Sequence, residues 1–327
     1  MTDHRPRAVG ITPMETRREA VLHVAHRAEQ LGYAGFYLAE GWGHDAAVLL
    51  AEVASRTTRL RLGTGVLTVW GRSAAQLAML AATLDDVSGG RFTLGLGAGS
   101  PQLAEGLHEQ PFTGAVSRLG TVTRRVRQLL AGERLPSGGT ARTLRLNTQP
   151  RPQVPIHLAA LGPVAVRLAG ELADGWYPFL LPRSGLKAGI VTLEEGAAAA
   201  GRPRPRVCPG LPVAVAADHE QAVAQASWWV AHYLVGMGQL YARALRRAGL
   251  GVEVDAVLAA NPSARTTVVP PAARNLLDEL TVWGDAAAAR AALHGWYADG
   301  AEEPVLVLPP GRPIEELDYS LEALRPC

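Results

Sequence analysis

The chain has 327 residues, 48% hydrophobic and 19% charged, with 32 basic against 30 acidic side chains and a net charge of +2. That composition supplies a large core, and arginines scattered singly rather than in blocks leave no electrostatic footprint for nucleic acid or a membrane surface. Two cysteines, Cys208 and Cys327, are too few for a disulfide framework or a metal knuckle, and the opening "MTDHRPRAVG" lacks the apolar stretch of a signal peptide, so a cytoplasmic protein is expected.

Short apolar runs alternate with longer periodic ones. "AVGIT" (Ala8–Thr12) reads as a buried strand, and Val21, Val24, Ala25, Ala28 and Leu31 then recur at helical spacing up to Gly32. "GFYLAE" (Gly35–Glu40) is a second strand, followed by a helix that Asp45 can cap. "LRLGTGV" (Leu60–Val66) is the third strand, with a helix over Ser73–Val87, and "RFTLGLG" is the fourth, with a helix around Val116–Leu130. A loop rich in Gly, Arg and Thr (Gly132–Pro150) precedes strand five, "PIHLAALG", and its helix at Val164–Leu172. "DGWYPFLL" is strand six and "LPVAVAA" (Leu211–Ala217) strand seven, with Pro209 and Pro212 restricting pairing at its start. A long helix is expected over Glu220–Ala248. Its uncharged part, Gln221–Ala242, carries Gln221, Gln225, His232 and Gln239, which argues against a membrane span. Residues 251–285 fit no simple unit and read as an insertion, before a helix at Ala286–Ala298 and the last strand, "PVLVLP".

Apolar strands with helices between them argue a parallel sheet covered on its outside. Eight such units at this length favour one closed (β/α)8 TIM barrel over residues 1–327, with the insertion between strands seven and eight. The residues to read for chemistry are then those just after each strand. A dinucleotide fingerprint can be set aside. It needs G-x-G-x-x-G in the first βα unit, whereas "SGGRFTLGLGAGSPQ" is the fourth and puts Ser100 where the third glycine belongs.

"HDAAVLLAEVASRTTRLRLGTGV", "AMLAATLDDVSGGRFTLGLGAGSP" and "HLAALGPVAVRLAGELADGW", taken together, resemble the bacterial luciferase-like superfamily. Within it they are most similar to the branch that uses the deazaflavin coenzyme F420, including methylenetetrahydromethanopterin reductase-like proteins. The match is collinear over roughly residues 8–180 and resumes at "ARALRRAGLG" and "VWGDAAAARAALHGWYADGAEEPVLV". The resemblance implies a TIM barrel with cofactor and substrate at its C-terminal mouth, and a homodimer.

Its cofactor contacts carry over by position. "GTGV" matches a bulge after strand three where the peptide before the valine is often cis and supports the ring. This assigns Thr64, Gly65 and Val66, with Thr68 as a further ring contact. The alternative is that Gly63 and Gly65 only relieve crowding at a bend. "GAGSPQ" supplies Ala98, Gly99 and Ser100. Some relatives carry a proton-transferring acid near Ser100, so its hydroxyl is left to hydrogen-bond the cofactor. "AALGP" (Ala159, Ala160, Leu161, Gly162, Pro163) opens a helix whose first amides point at an anion, and in the family this turn holds the phosphate-bearing tail.

"AEGWGHDAA" closes strand two. Gly41 replaces a polar residue of the family pattern, which leaves His44, with a pKa near neutrality, and Glu40 as candidate catalytic groups. His44 could instead pack at the helix start and Glu40 could be structural. Trp42, Tyr177, Trp229, His232 and Tyr233 are candidate substrate contacts. Trp229, His232 and Tyr233 share one helix face, where core packing is the competing reading. His23 and His26 lack a third ligand, so no metal is expected, and the serines lack a nucleophile elbow.

The resulting expectation is an F420-dependent oxidoreductase moving a hydride between the deazaflavin and a small organic substrate with a C=N or C=C bond. An FMN-dependent monooxygenase on the same barrel is the alternative, and a barrel that binds cofactor without turnover is the third.

Overall fold

The computed structural model describes residues 5–136, 138–148, 153–263 and 265–326. Strands β1 (Ala8–Ile11), β2 (Gly35–Leu38), β3 (Arg61–Thr64), β4 (Leu67–Thr68) and β5 (Phe92–Gly97) belong to the first four units. They are followed by β6 (Ile156–Ala159), β7 (Gly175–Trp176), β8 (Arg206–Val207), β9 (Gly210–Val215), β10 (Val282–Gly284) and β11 (Val305–Leu308). The first helices are α1 (Arg18–Gln30), α2 (Ala46–Arg56), α3 (Ala74–Ser88), α4 (Pro101–Ala104), α5 (Ala115–Leu130), α6 (Pro163–Leu172) and α7 (Leu186–Ala199). The rest are α8 (His219–Val235), α9 (Gln239–Arg247), α10 (Gly251–Ala260), α11 (Asn275–Leu280), α12 (Ala286–Ala298) and α13 (Ile314–Ala323).

All strand pairs are parallel, and β1, β2, β5, β9 and β11 are buried along their whole length. Apolar runs without polar alternation can only persist where both sheet faces are covered, which the helices provide on the outside. The order β9-β11-β1-β2-β3-β5-β6-β7-β8 closes on itself because β8 and β9 are one run of backbone. Arg206 and Val207 pair with β7, and Gly210 to Pro212 pair with β11. The Cys208 and Gly210 amides continue the ladder to the Trp176 and Pro178 carbonyls, both at 2.8 Å. The ring is a TIM barrel.

Helix starts follow their sequence signals. Asp45 accepts from the Ala47 and Val48 amides, and Ser73 with Gln76 forms a reciprocal capping box at α3. Asp218 and Asp285 cap α8 and α12 in the same way. At the N-terminal end of the barrel the buried Glu303 carboxylate pairs with Arg61 of β3 and Arg206 of β8, tying distant strands together.

Three expectations are corrected. The helix expected over Glu220–Ala248 is two helices, because Gly238 takes a left-handed φ of 76° between α8 and α9. Residues 251–285 contain α10, α11 and β10, and β10 adds in parallel to the upper half of β9 at Val213–Val215. Strand seven starts earlier than Leu211, at Arg206. The peptide before Val66 is cis, as the resemblance implies for the bulge after strand three, and that bulge separates β3 from β4. Among the described residues no helix is long and apolar enough to cross a membrane, and no group of His, Cys, Asp and Glu could hold a metal. Cys208 is a buried free thiol, and Cys327 lies outside the described residues.

Candidate functional site

The C-terminal ends of the strands surround a cleft of about 610 Å³. Its floor begins with the glycine-spaced strand β5. A Cβ on Gly95 would lie 1.9 Å from the Thr64 carbonyl oxygen, and one on Gly97 would lie 2.7 Å from Val66 Cγ2. These glycines therefore let the corner between β3 and β4 press against β5. The Thr64 hydroxyl fastens the same contact, donating to the Gly95 carbonyl and accepting from its amide, both at 2.8 Å. The Glu40 amide donates to the Val66 carbonyl, so the end of β2 holds the corner from the other side. Gly65, Val66, Gly97, Ala98, Gly99 and Ser100 all line the cleft as a result. Thr64 and Thr68 do not. Thr68 lies behind Gly99, its buried Oγ1 without a partner among the described residues.

The end of β2 forms one wall. Glu40 faces the cleft, but Arg72 bonds both its carboxylate oxygens and the Ala46 amide donates to Oε2 at 3.0 Å. Arg72 also reaches Asp45 at 2.7 Å, and its hydrogen bond to Glu40 holds its pKa above the usual value. This carboxylate is an occupied acceptor that fixes the wall. The role expected for His44 is not favoured by its position. The ring lies outside the cleft lining, and its Nε2 donates to the Thr16 carbonyl at 2.9 Å. The loop turns that way because Gly41 and Gly43 press on Pro13, where added Cβ atoms would come within 2.9 and 2.6 Å. The same contact explains why Gly41 stands where the family pattern has a polar side chain.

The opposite wall starts at the end of β6. Ala159, Ala160, Leu161, Gly162 and Pro163 all line it, leading into α6. The first amides of a helix have no intrahelical acceptor, and Gly162 offers no side-chain cap. Arg247, at the end of α9, faces this turn, its guanidinium 3.6 Å from where a Gly162 Cβ would be. It has no ion pair or hydrogen-bond partner among the described residues, whereas its neighbour Arg246 pairs with Asp255. Uncapped amides and a free cation together make an anion-binding corner.

The third wall is aromatic. Tyr177, Phe179, Tyr233 and Tyr241 line it, with Phe179 packed edge-on to Tyr233 at 5.0 Å and Tyr233 to Tyr241 at 5.3 Å. Burial pushes all three tyrosine hydroxyls well above the ordinary range, so each is a neutral O–H donor. Tyr177 stacks on Tyr37 beneath the floor, and its hydroxyl lies 3.3 Å from where a Gly65 Cβ would be. Trp42 stands half exposed at the rim. Two expected contacts are not brought to the cleft lining. Trp229 is fully buried and donates to the Val213 carbonyl at 2.9 Å, and His232 stacks on Trp228 away from the lining.

Several lining residues carried no local signal. Phe112, Met237, Leu240, Val307 and Arg247 come from elements far apart in sequence, brought together only by barrel closure. Thr12, at the end of β1, could have been found by applying the strand-end rule to the first unit. It is 3% exposed, and its Oγ1 has no partner among the described residues.

The profile of the luciferase-like monooxygenase family matches residues 4–303. A Mycobacterium tuberculosis protein provisionally named a coenzyme F420-dependent oxidoreductase is 34% identical, over 94% of this chain and 95% of its own. The F420-dependent glucose-6-phosphate dehydrogenase of Microbacterium testaceum is 31% identical over 62% of this chain and 66% of its own. In three dimensions the chain is similar to the coenzyme F420-dependent tetrahydromethanopterin reductase of Methanopyrus kandleri. The TM-score is 0.81 at 20% identity, with 98% of each chain covered, a likeness of fold.

Proposed function

The chain belongs to the luciferase-like monooxygenase family, and from that premise we propose that it is an oxidoreductase dependent on coenzyme F420. It would exchange a hydride with a small organic substrate at a C=N or C=C bond. The observation that carries this reading is the convergence of three strand-end turns on one cleft, with an anion-binding corner at one end.

The residues present fit a flat ring with an anionic tail. Gly65, Val66, Gly97, Ala98 and Gly99 form a floor of small and branched groups, and the uncapped start of α6 with Arg247 suits a phosphate. When bound, the deazaflavin supplies a two-electron hydride equivalent at its C5. The protein's part is positioning, exclusion of water and a proton. Glu40, Arg72 and Asp45 lock the wall beside the floor. The aromatic wall lowers the local dielectric, which strengthens every hydrogen bond in the cleft. With His44 turned to Thr16 and Glu40 saturated, the proton is assigned to the phenolic oxygen of Tyr177, the hydroxyl beside Gly65. Homodimer formation belongs to the same reading and is checked by sedimentation.

Titrating the protein with F420 and with FMN, following ligand fluorescence, tests the proposal. Saturable uptake of F420 with FMN bound far more weakly is the expected result. Retention of FMN with indifference to F420 would turn the assignment to a flavin monooxygenase. F420 uptake without hydride exchange against a panel of imines and enones would leave a binding barrel.

A further inference from the structure

We propose that the substrate half of the cleft takes a neutral, flat, largely apolar molecule bearing a hydrogen-bond acceptor, with the Thr12 hydroxyl as its polar anchor, and rejects phosphorylated substrates. This inference rests on the oxidoreductase reading above and names its substrate class.

The first argument is charge. Glu40 and Arg247 are the charged side chains on the lining among the described residues. Glu40 is neutralised by Arg72, and Arg247 sits at the α6 turn where the cofactor tail would lie. Arg72 is itself held by two carboxylates. The only lysine in the sequence, Lys187, pairs with Asp299 at 2.9 Å, away from the cleft lining. With the tail in place, no cation among the described lining residues remains for a second anionic group, and an unpaired phosphate in an apolar cleft is strongly disfavoured.

The second argument is shape and polarity. Phe179, Tyr233 and Tyr241 put aromatic rings on the lining, and Ile11 and Val307 add branched aliphatic groups, Val307 packing in the same cluster as Phe179 and Tyr233. Such walls favour planar molecules. Thr12 lies next to Ile11 on the lining, nine-tenths or more buried, with a hydroxyl that no described residue satisfies. A buried hydroxyl without a partner is unfavourable, and a substrate carbonyl or imine nitrogen accepting from Oγ1 removes that cost.

The test uses the protein loaded with oxidised F420, so that binding is read without turnover. The probes are trans-4-phenyl-3-buten-2-one, a neutral aromatic enone, and glucose 6-phosphate, each titrated by calorimetry. The enone should bind at least tenfold more tightly than the sugar phosphate. Thr12→Val should raise the enone Kd about 2- to 12-fold, the range for one net hydrogen bond. Thr12→Ser should restore it, and F420 affinity should be equal in all three proteins.

Glucose 6-phosphate binding as tightly as the enone would overturn the proposal. So would an unchanged enone Kd in Thr12→Val, or an equal loss of F420 affinity, which would move Thr12 to the cofactor. Failure of the unsubstituted protein to take up F420 would instead sink the oxidoreductase reading. The two probes compared on cofactor-free Arg247→Gln, which lacks the cation of the tail corner, would then still decide the substrate class.

Discussion

His157 offers a pH test of the barrel interior. It lies on β6 inside the ring, 6% exposed, stacked 6.1 Å from Tyr37 and packed where a Gly175 Cβ would be 2.4 Å from its ring. Its Nδ1 has no partner among the described residues. Burial lowers its pKa from 6.5 to about 4, partly offset by Glu303 and Asp174 and reinforced by Arg61 and Arg206. Below pH 6.5 the unfolded chain binds a proton that the folded protein refuses until about pH 4, so stability falls with pH across that window. Linkage between those two values gives a loss of about 2 kcal/mol on going from pH 7 to pH 4.5. His157→Phe keeps a flat ring against Tyr37 and removes the titration. Urea midpoints by circular dichroism and tryptophan fluorescence between pH 7 and 4.5 should therefore drop less steeply in the variant. Parallel curves for the two proteins would refute the assignment. Glu15 and Glu29 have pKa values lowered by hydrogen bonds in the fold, so their contribution is lost mainly below pH 4.5 and affects both proteins alike.

Arg247→Gln should raise the F420 dissociation constant about tenfold, with the gap closing at high salt, as expected for a charge-assisted contact at a helix start; an unchanged titration would remove Arg247 from the tail site. Tyr177→Phe should lower kcat at least about tenfold with F420 affinity preserved, whereas His44→Ala should stay within about twofold; the reverse pattern would return the proton to His44. Trp229→Ala should cost about 3–5 kcal/mol in chemical denaturation, as for a buried core aromatic, and a well-folded variant with only substrate affinity reduced would reinstate Trp229 as a pocket wall.

The strand ends were legible in the chain because burial on both faces leaves apolar runs that nothing else explains, as at "AVGIT" and "PVLVLP". β10 was not, because three residues carry no periodicity and its pairing with β9 is a tertiary event. The break at Gly238 was hidden by aromatic residues that keep the helical pattern running across it. In the cleft, the turns at Gly65, Gly99 and Gly162 could be found from spacing and resemblance. The position of His44 could not, since it depends on Gly41 and Gly43 meeting Pro13 about 30 residues earlier. Trp229 and Tyr233 do share a helix face and stack at 5.8 Å. One turn along α8 nevertheless separates a side chain reaching down to β9 from one reaching the cleft, and helical spacing carries no information about depth.

The run from Arg206 to Val215 satisfies hydrogen bonds on both of its margins, with β7 on one side and β11 on the other. Were it withdrawn, two fully apolar strands would be left with bare amides and carbonyls, the arrangement that invites pairing with other chains. Proteolytic nicking or chain division just ahead of Arg206 should therefore yield halves that aggregate when separated, and insertions for engineering belong elsewhere.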